Sequence, residues 1–141
     1  MSTATPESHL DLIAGAVHAV LTTISPSGQP ENSIIWCSWD GSHVLIATAA
    51  GRRKAHNVKA NPKVALLAMD PDDPYRWIDV RGTVEHVGPD EECRLIDAHA
   101  KIYEGAETFF GGVVPLEEKG DQERIIFKIK PEHIVAFPPA G

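Results

Sequence analysis

The sequence predicts a mainly β protein with short helices, a six-stranded antiparallel barrel. Three observations carry that reading. Segments rich in β-branched and alternating apolar residues recur along the chain, Gly, Pro and Asp signals stand between them, and two helical stretches interrupt them. At 141 residues the chain is long enough for one domain with its own core, and residues 1–141 are read as one.

Each element has a local reason. Residues 7–14 place Leu10, Ile13 and Ala14 at helical spacing. Residues 17–25 form a β-branched strand that ends at Pro26-Ser-Gly28, a turn signal because proline and glycine supply the backbone angles a tight turn needs. A second strand, 32–39, runs to Asp40-Gly41, and a third, 43–49, follows. Three strands joined by short turns predict a meander. A helix over 52–60 ends at Asn61-Pro62, since proline pushes its predecessor out of the helical region. Residues 63–70 read as a buried strand, and 71–74 as a loop. In 77–87, Ile78, Val80 and Val84 share a face opposite Asp79, Arg81 and Glu85. Gly82 within that strand predicts a bulge or a close approach by another group. Pro89-Asp-Glu-Glu92 opens a helix with Leu95, Ile96, His99, Ile102 and Tyr103 on its apolar spacing. Residues 106–121 read as an irregular loop, and 123–130 as a last strand that His133–Phe137 extends past Pro131.

Composition excludes several function classes. Hydrophobic residues make up 43% and charged residues 23%, a globular rather than disordered balance. A formal net charge of -7 argues against nucleic acid as the main partner. No apolar run approaches a membrane span, and the opening residues lack a basic-then-apolar leader pattern, so the expectation is a cytoplasmic protein with no membrane partner. Cys37 and Cys93 lack metal-type spacing and are read as inert buried thiols, with no metal site.

Against that acidic background, Arg52, Arg53, Lys54, Lys59 and Lys63 fall within twelve positions, at a strand-to-helix junction. A solvated helix face is the ordinary use of such a run. At a helix start, however, free N–H groups and the positive dipole end favour anions, and Arg and Lys add charge-assisted hydrogen bonds. The junction is therefore a candidate phosphate grip.

Four pieces, in this order, carry a family resemblance: Leu21-Thr-Thr with Ser27-Gly-Gln-Pro30 leading into Ile34-Ile-Trp36; Ala49-Ala-Gly-Arg-Arg-Lys-Ala-His-Asn57; Asn61-Pro-Lys-Val64 with the later Val80-Arg-Gly82; and the tail Ile134-Val-Ala-Phe-Pro-Pro139. The chain resembles the split-barrel flavin-binding superfamily typified by pyridoxamine 5'-phosphate oxidase, closest to its F420-dependent oxidoreductase branch. The resemblance implies a homodimer with cofactor sites between protomers and a small-molecule substrate. It implies coenzyme F420 as cofactor, with FMN as the alternative. Arg52 and Lys54 would hold the cofactor phosphate, helped by Arg53 and by the Thr48 hydroxyl. Asn57 would either bond the cofactor tail or brace the helix. Asn32, Ser33, Ile34 and Ile35 would run beside the ring, and Trp36 or Trp77 would line its pocket. True pyridoxamine phosphate oxidases carry a C-terminal Arg/His segment for the substrate phosphate, whereas this sequence ends Phe137-Pro-Pro-Ala-Gly141, so vitamin B6 oxidation is not expected.

The chemistry implied is hydride transfer from reduced deazaflavin to an unsaturated small molecule. An FMN oxidase or reductase, and a non-catalytic carrier of flavin, deazaflavin or haem, are the competing readings. His18, His56, His86 and His99 are candidate proton donors by residue type only, and no catalytic residue is assigned.

Overall fold

The computed structural model describes residues 5–139. The first four residues and the last two lie outside these. Seven strands form one antiparallel sheet: β1 (Ala19–Ile24), β2 (Pro30–Ile35), β3 (Ser38–Trp39), β4 (Val44–Ala49), β5 (Lys63–Asp70), β6 (Asp73–Pro89) and β7 (Arg124–Phe137). Helices are α1 (Asp11–Ala14), α2 (Arg53–Ala60) and α3 (Arg94–Glu104), with short 3₁₀ turns at Glu7–His9, Glu91–Cys93 and Leu116–Lys119.

The strand order is β2-β1-β5-β6-β7-β4-β3, so β2 and β3 lie at opposite edges although only Trp36 and Cys37 separate them in sequence. Laid flat, seven strands at ~4.8 Å spacing would hold those edges about 29 Å apart. Three peptide steps span at most about 11 Å. The sheet must therefore curl until its edges meet, which makes it a split barrel.

This closure corrects one expectation. The strand predicted over 32–39 is two strands, one serving each edge, and the two hairpins of the predicted meander sit at opposite ends of the sheet. The loop predicted at 71–74 is shorter, because β6 already starts at Asp73.

The barrel interior is filled by Leu21, Ile46, Leu66, Ile78, Val80, Phe127 and Ile129, all fully buried, and α1 plugs one side with Leu12 and Ile13. The alternation predicted for β6 holds. It bends through two register shifts, after Arg81 and between Val84 and His86. Gly82 is explained by the first: a Cβ there would stand 2.2 Å from the Lys130 carbonyl oxygen of β7. The close neighbour is thus a strand backbone and not a ligand. A smaller cluster of Cys93, Ile96 and Phe110 fixes α3 and the following loop against Trp36 and Ala47. Both cysteines are free and buried, and burial pushes the Cys37 thiol up to about 12.

Candidate cofactor groove

β3 is only two residues long and pairs with Val44 and Leu45 of β4 alone. Beyond it, the Ile46–Ala49 half of β4 pairs with no second strand among the described residues. β2 is the other edge. A groove of about 290 Å³ opens in this split, with Ile34 and Ile35 on one bank and Ala47 and Thr48 on the other. Its aromatic wall is Trp36, with Phe109 edge-on at 5.9 Å between centroids. Arg52, Lys54 and Arg124 stand at its polar end.

The cations are there for reasons of local structure. β4 ends at Ala49, the chain turns, and α2 starts with Arg52 as its extended N-terminal flank. No side chain caps that end, and no acidic residue stands in the first turn. The amides of Ala55 and His56 bond to the Arg52 carbonyl, while those of Arg53 and Lys54 find no acceptor among the described residues. Arg124 arrives from the other direction, since β4–β7 register places it opposite Ala49.

None of the ion pairs among the described residues includes Arg52, Lys54 or Arg124. Burial, then the nearby Arg52 and Arg124, lowers the Lys54 ammonium below its ordinary range. Burial also lowers Arg124, with Arg52 adding repulsion against the opposing pull of Cys93 and Asp90. The Arg124 guanidinium packs 5.7 Å from the centroids of both Phe109 and Phe110, and its Nε is buried with no partner. Three unpaired cations at the positive end of a helix are unfavourable to one another and to the helix dipole. A phosphate would relieve both, so the donor set fits the phosphate-bearing end of a flavin or deazaflavin.

The predicted residues divide among three places. Ile34, Ile35, Trp36, Thr48, Arg52 and Lys54 meet in the groove, and Thr48 is 5% exposed. Asn32, Ser33, Arg53 and Asn57 line an adjoining groove that shares Arg52 and Lys54 with the first. There Arg53 is spent on Glu31, with Nε 3.1 Å from the carboxylate. Asn57 braces the helix: its Nδ2 donates to Thr23 Oγ1 at 3.0 Å and to Glu31 Oε1 at 2.7 Å. Those bonds, first from Asn57 and then from Arg53, hold the Glu31 carboxyl below its usual range. Trp77 is in neither groove of its own chain. It stacks on Phe137 at 5.8 Å and lines a separate apolar hollow with Leu67 and Met69. Of the two tryptophans weighed for the ring pocket, the structure puts Trp36 in the groove.

Arg124 and Phe109 are groove residues that local sequence did not mark. Arg124 and Phe109 reach the site only through tertiary pairing. His18 is the histidine, of the four weighed, that lines the groove. The Trp36 indole N–H donates to its Nε2 at 3.2 Å, which leaves the His18 proton on Nδ1. His99 is instead buried, and burial lowers it to about 4.

The fold and the groove define a split barrel with a cluster of cations beside an aromatic wall. A family model described as pyridoxamine 5'-phosphate oxidase matches residues 5–137, and the chain belongs to that family. It is similar to a solved structure described as an F420 reductase, with 31% identity, 93% of this chain and 98% of that chain covered, and a TM-score of 0.78. It shares its fold with a conserved hypothetical protein from Mycobacterium tuberculosis at 20% identity, covering 94% of this chain and 84% of that one, TM-score 0.71. It also shares it with General Stress Protein 26 from Bacillus anthracis at 19% identity, covering 95% and 94%, TM-score 0.67. The family match and the similarity to the F420 reductase support an oxidoreductase with a flavin-type cofactor. No described helix is long and apolar enough to cross a membrane.

Proposed function

We propose that this protein is an F420-dependent oxidoreductase acting as a homodimer on an unsaturated small molecule. The observation that carries it is the trio Arg52, Lys54 and Arg124, gathered without a carboxylate where an aromatic-walled groove begins. Bound reduced deazaflavin would supply hydride to an electron-poor double bond. The protein's part is binding, orientation and exclusion of water. Arg52, Lys54 and the free amides of α2 hold phosphate, and Trp36 and Phe109 wall the ring end. The unpaired outer edge of β2 offers backbone donors and acceptors to a ring's polar margin, and the His18 Nδ1–H is a proton held at the groove.

Two features favour deazaflavin over FMN. The similarity to an F420 reductase is one. The other is that Arg52 and Lys54 line both grooves, so the cations stand between two adjoining hollows. A phosphodiester whose chain runs on past the grip suits that geometry better than a phosphate monoester, which ends there. For the homodimer, Leu67, Met69 and Phe137 form a contiguous exposed apolar face around Trp77, at 45%, 48% and 44% exposure. Side-by-side fluorescence titration with F420 and FMN tests the reading. Tight F420 binding that Lys54→Met weakens supports it, and a preference for FMN moves the protein to the FMN reading. Binding of neither rejects the groove as a cofactor site, and a monomer by sedimentation rejects the dimer.

A further inference from the structure

The seam between the barrel's edges lacks the ladder bonds that tie the other strands together. Trp36 and Cys37 pair with no strand, so their backbone groups need other partners. Helix α3 provides them. His99 and Tyr103 are four residues apart and share one helix face. The Tyr103 hydroxyl accepts the Cys37 N–H at 3.0 Å and lies 2.9 Å from the Val17 carbonyl and 3.0 Å from that of Cys37. A phenol has one proton, so the two carbonyls share it. His99 Nε2 is 2.9 Å from Ser38 Oγ in β3. One helix face thus fastens the approach to β1, the seam and the far edge together.

The same tyrosine governs Trp36. The two rings are stacked, with centroids 5.1 Å apart and planes 13° from parallel. His18, which takes the indole N–H, itself packs edge-on to Tyr103 at 5.4 Å. The plane of the groove's aromatic wall is therefore set by a residue outside the groove lining.

We propose that Tyr103 is a positioning residue: its hydroxyl closes the seam at Cys37, and its ring fixes the Trp36 plane against which a cofactor ring would lie. A residue that only filled space would be replaced by phenylalanine at little cost, and its loss would weaken every ligand of the groove alike. The ligand-binding consequence rests on the proposed cofactor reading, while the seam and the indole are measurable without any ligand.

Tyr103→Phe and Tyr103→Leu test it. In ligand-free protein, amide exchange at Cys37 should quicken at least tenfold in Tyr103→Phe, while the core amide of Leu66 changes less than twofold. The near-UV circular dichroism difference between wild type and Trp36→Phe isolates the fixed indole, and Tyr103→Leu should remove at least half of it. In titrations, Tyr103→Leu should weaken F420 or FMN about tenfold, ~1.4 kcal/mol, and leave pyrophosphate within twofold. Unchanged Cys37 exchange overturns the seam role, and an unchanged indole signal overturns the ring role. Equal weakening of pyrophosphate and the ring-bearing ligand overturns positioning. If wild type binds neither F420 nor FMN, the cofactor reading has failed, and the two ligand-free measurements still decide the role of Tyr103.

Discussion

Replacing Lys54 by methionine should make the empty protein more stable and the ligand-bound protein less so. Methionine keeps the half-buried stem and has similar helix propensity, so the change removes mainly the charge. A cation in the first turn of a helix costs ~0.3–1 kcal/mol, and no acidic residue in that turn of α2 offsets it. Repulsion from Arg52 and Arg124 adds to this. The expected gain is about 0.5–1 kcal/mol, or ~2–4 °C in Tm for a chain of this size. Against an anion, the variant loses a charge-assisted hydrogen bond worth ~1.5–3 kcal/mol, a weakening of about 10- to 150-fold. Ligand at 100 times its Kd adds ~2.7 kcal/mol to wild type, so pyrophosphate or F420 should reverse the stability order. The pH dependence has a definite sign. Because folding lowers the lysine pKa, the unfolded chain binds more protons just below the ordinary value of 10.5. Empty wild type should therefore gain stability as pH rises into that range, and Lys54→Met should lose this slope. Urea melts with and without ligand, across pH, measure all of this. Arg53→Ala is the control, expected to bind nearly as wild type because Arg53 is already paired with Glu31. A Lys54→Met protein that is less stable when empty and binds as wild type does would refute the reasoning.

Three further outcomes follow from the fold. His99 is 1% exposed and lowered to about 4, so the stability tied to its neutral form is complete above about 6.5 and lost as pH falls through about 4. That loss amounts to about 3 kcal/mol, and urea melts of His99→Gln should show a flatter acid limb. Gly82→Ala forces β6 from β7 at the Lys130 carbonyl and should cost about 1–3 kcal/mol or more, while pyrophosphate affinity of the folded protein stays unchanged. Asp90→Ala removes the carboxylate that accepts the Leu95 and Ile96 amides at 2.8 and 3.0 Å, and its urea midpoint should fall by the equivalent of about 1–2 kcal/mol.

What the sequence disclosed was what local chemistry decides. Residues 63–70 were legible as a strand because Asn61-Pro62 marks the start, but not as a half-exposed one: Leu67 and Met69 face outward, which a continuous apolar run does not disclose. The cationic cluster at Arg52–Lys54 was legible because its charges are close in sequence and sit at a helix start. The break at Trp36-Cys37 was not, since both residues continue the alternation and only closure of the sheet interrupts them. Arg124 was hidden for a related reason: it is an ordinary strand residue until register sets it opposite Ala49. Trp36 and Trp77 were equal on paper, because strand parity says which face a residue takes and nothing about where around the barrel that face lies. Pro131 resolves similarly. It lacks an N–H, and β7 continues through it because it faces Gly82 at a register shift.

The location of the groove follows from how the barrel fails to close. Sheet edges carry unpaired N–H and C=O groups that invite association, and proteins usually cover or shorten them. Here β3 is cut to Ser38 and Trp39, which leaves the end of β4 open across from β2, and Ile34 is 66% exposed at that opening. A third residue pair between β3 and β4 would extend pairing to Ile46 and begin to fill the split. Instead Tyr103 fastens the seam at Cys37, and the α2 start gathers cations along the open bank. The open edge and the unpaired charges are each unfavourable in the empty protein, and one planar, hydrogen-bonding, phosphate-bearing ligand would satisfy both. That coincidence ties the groove to cofactor binding more closely than either feature does alone.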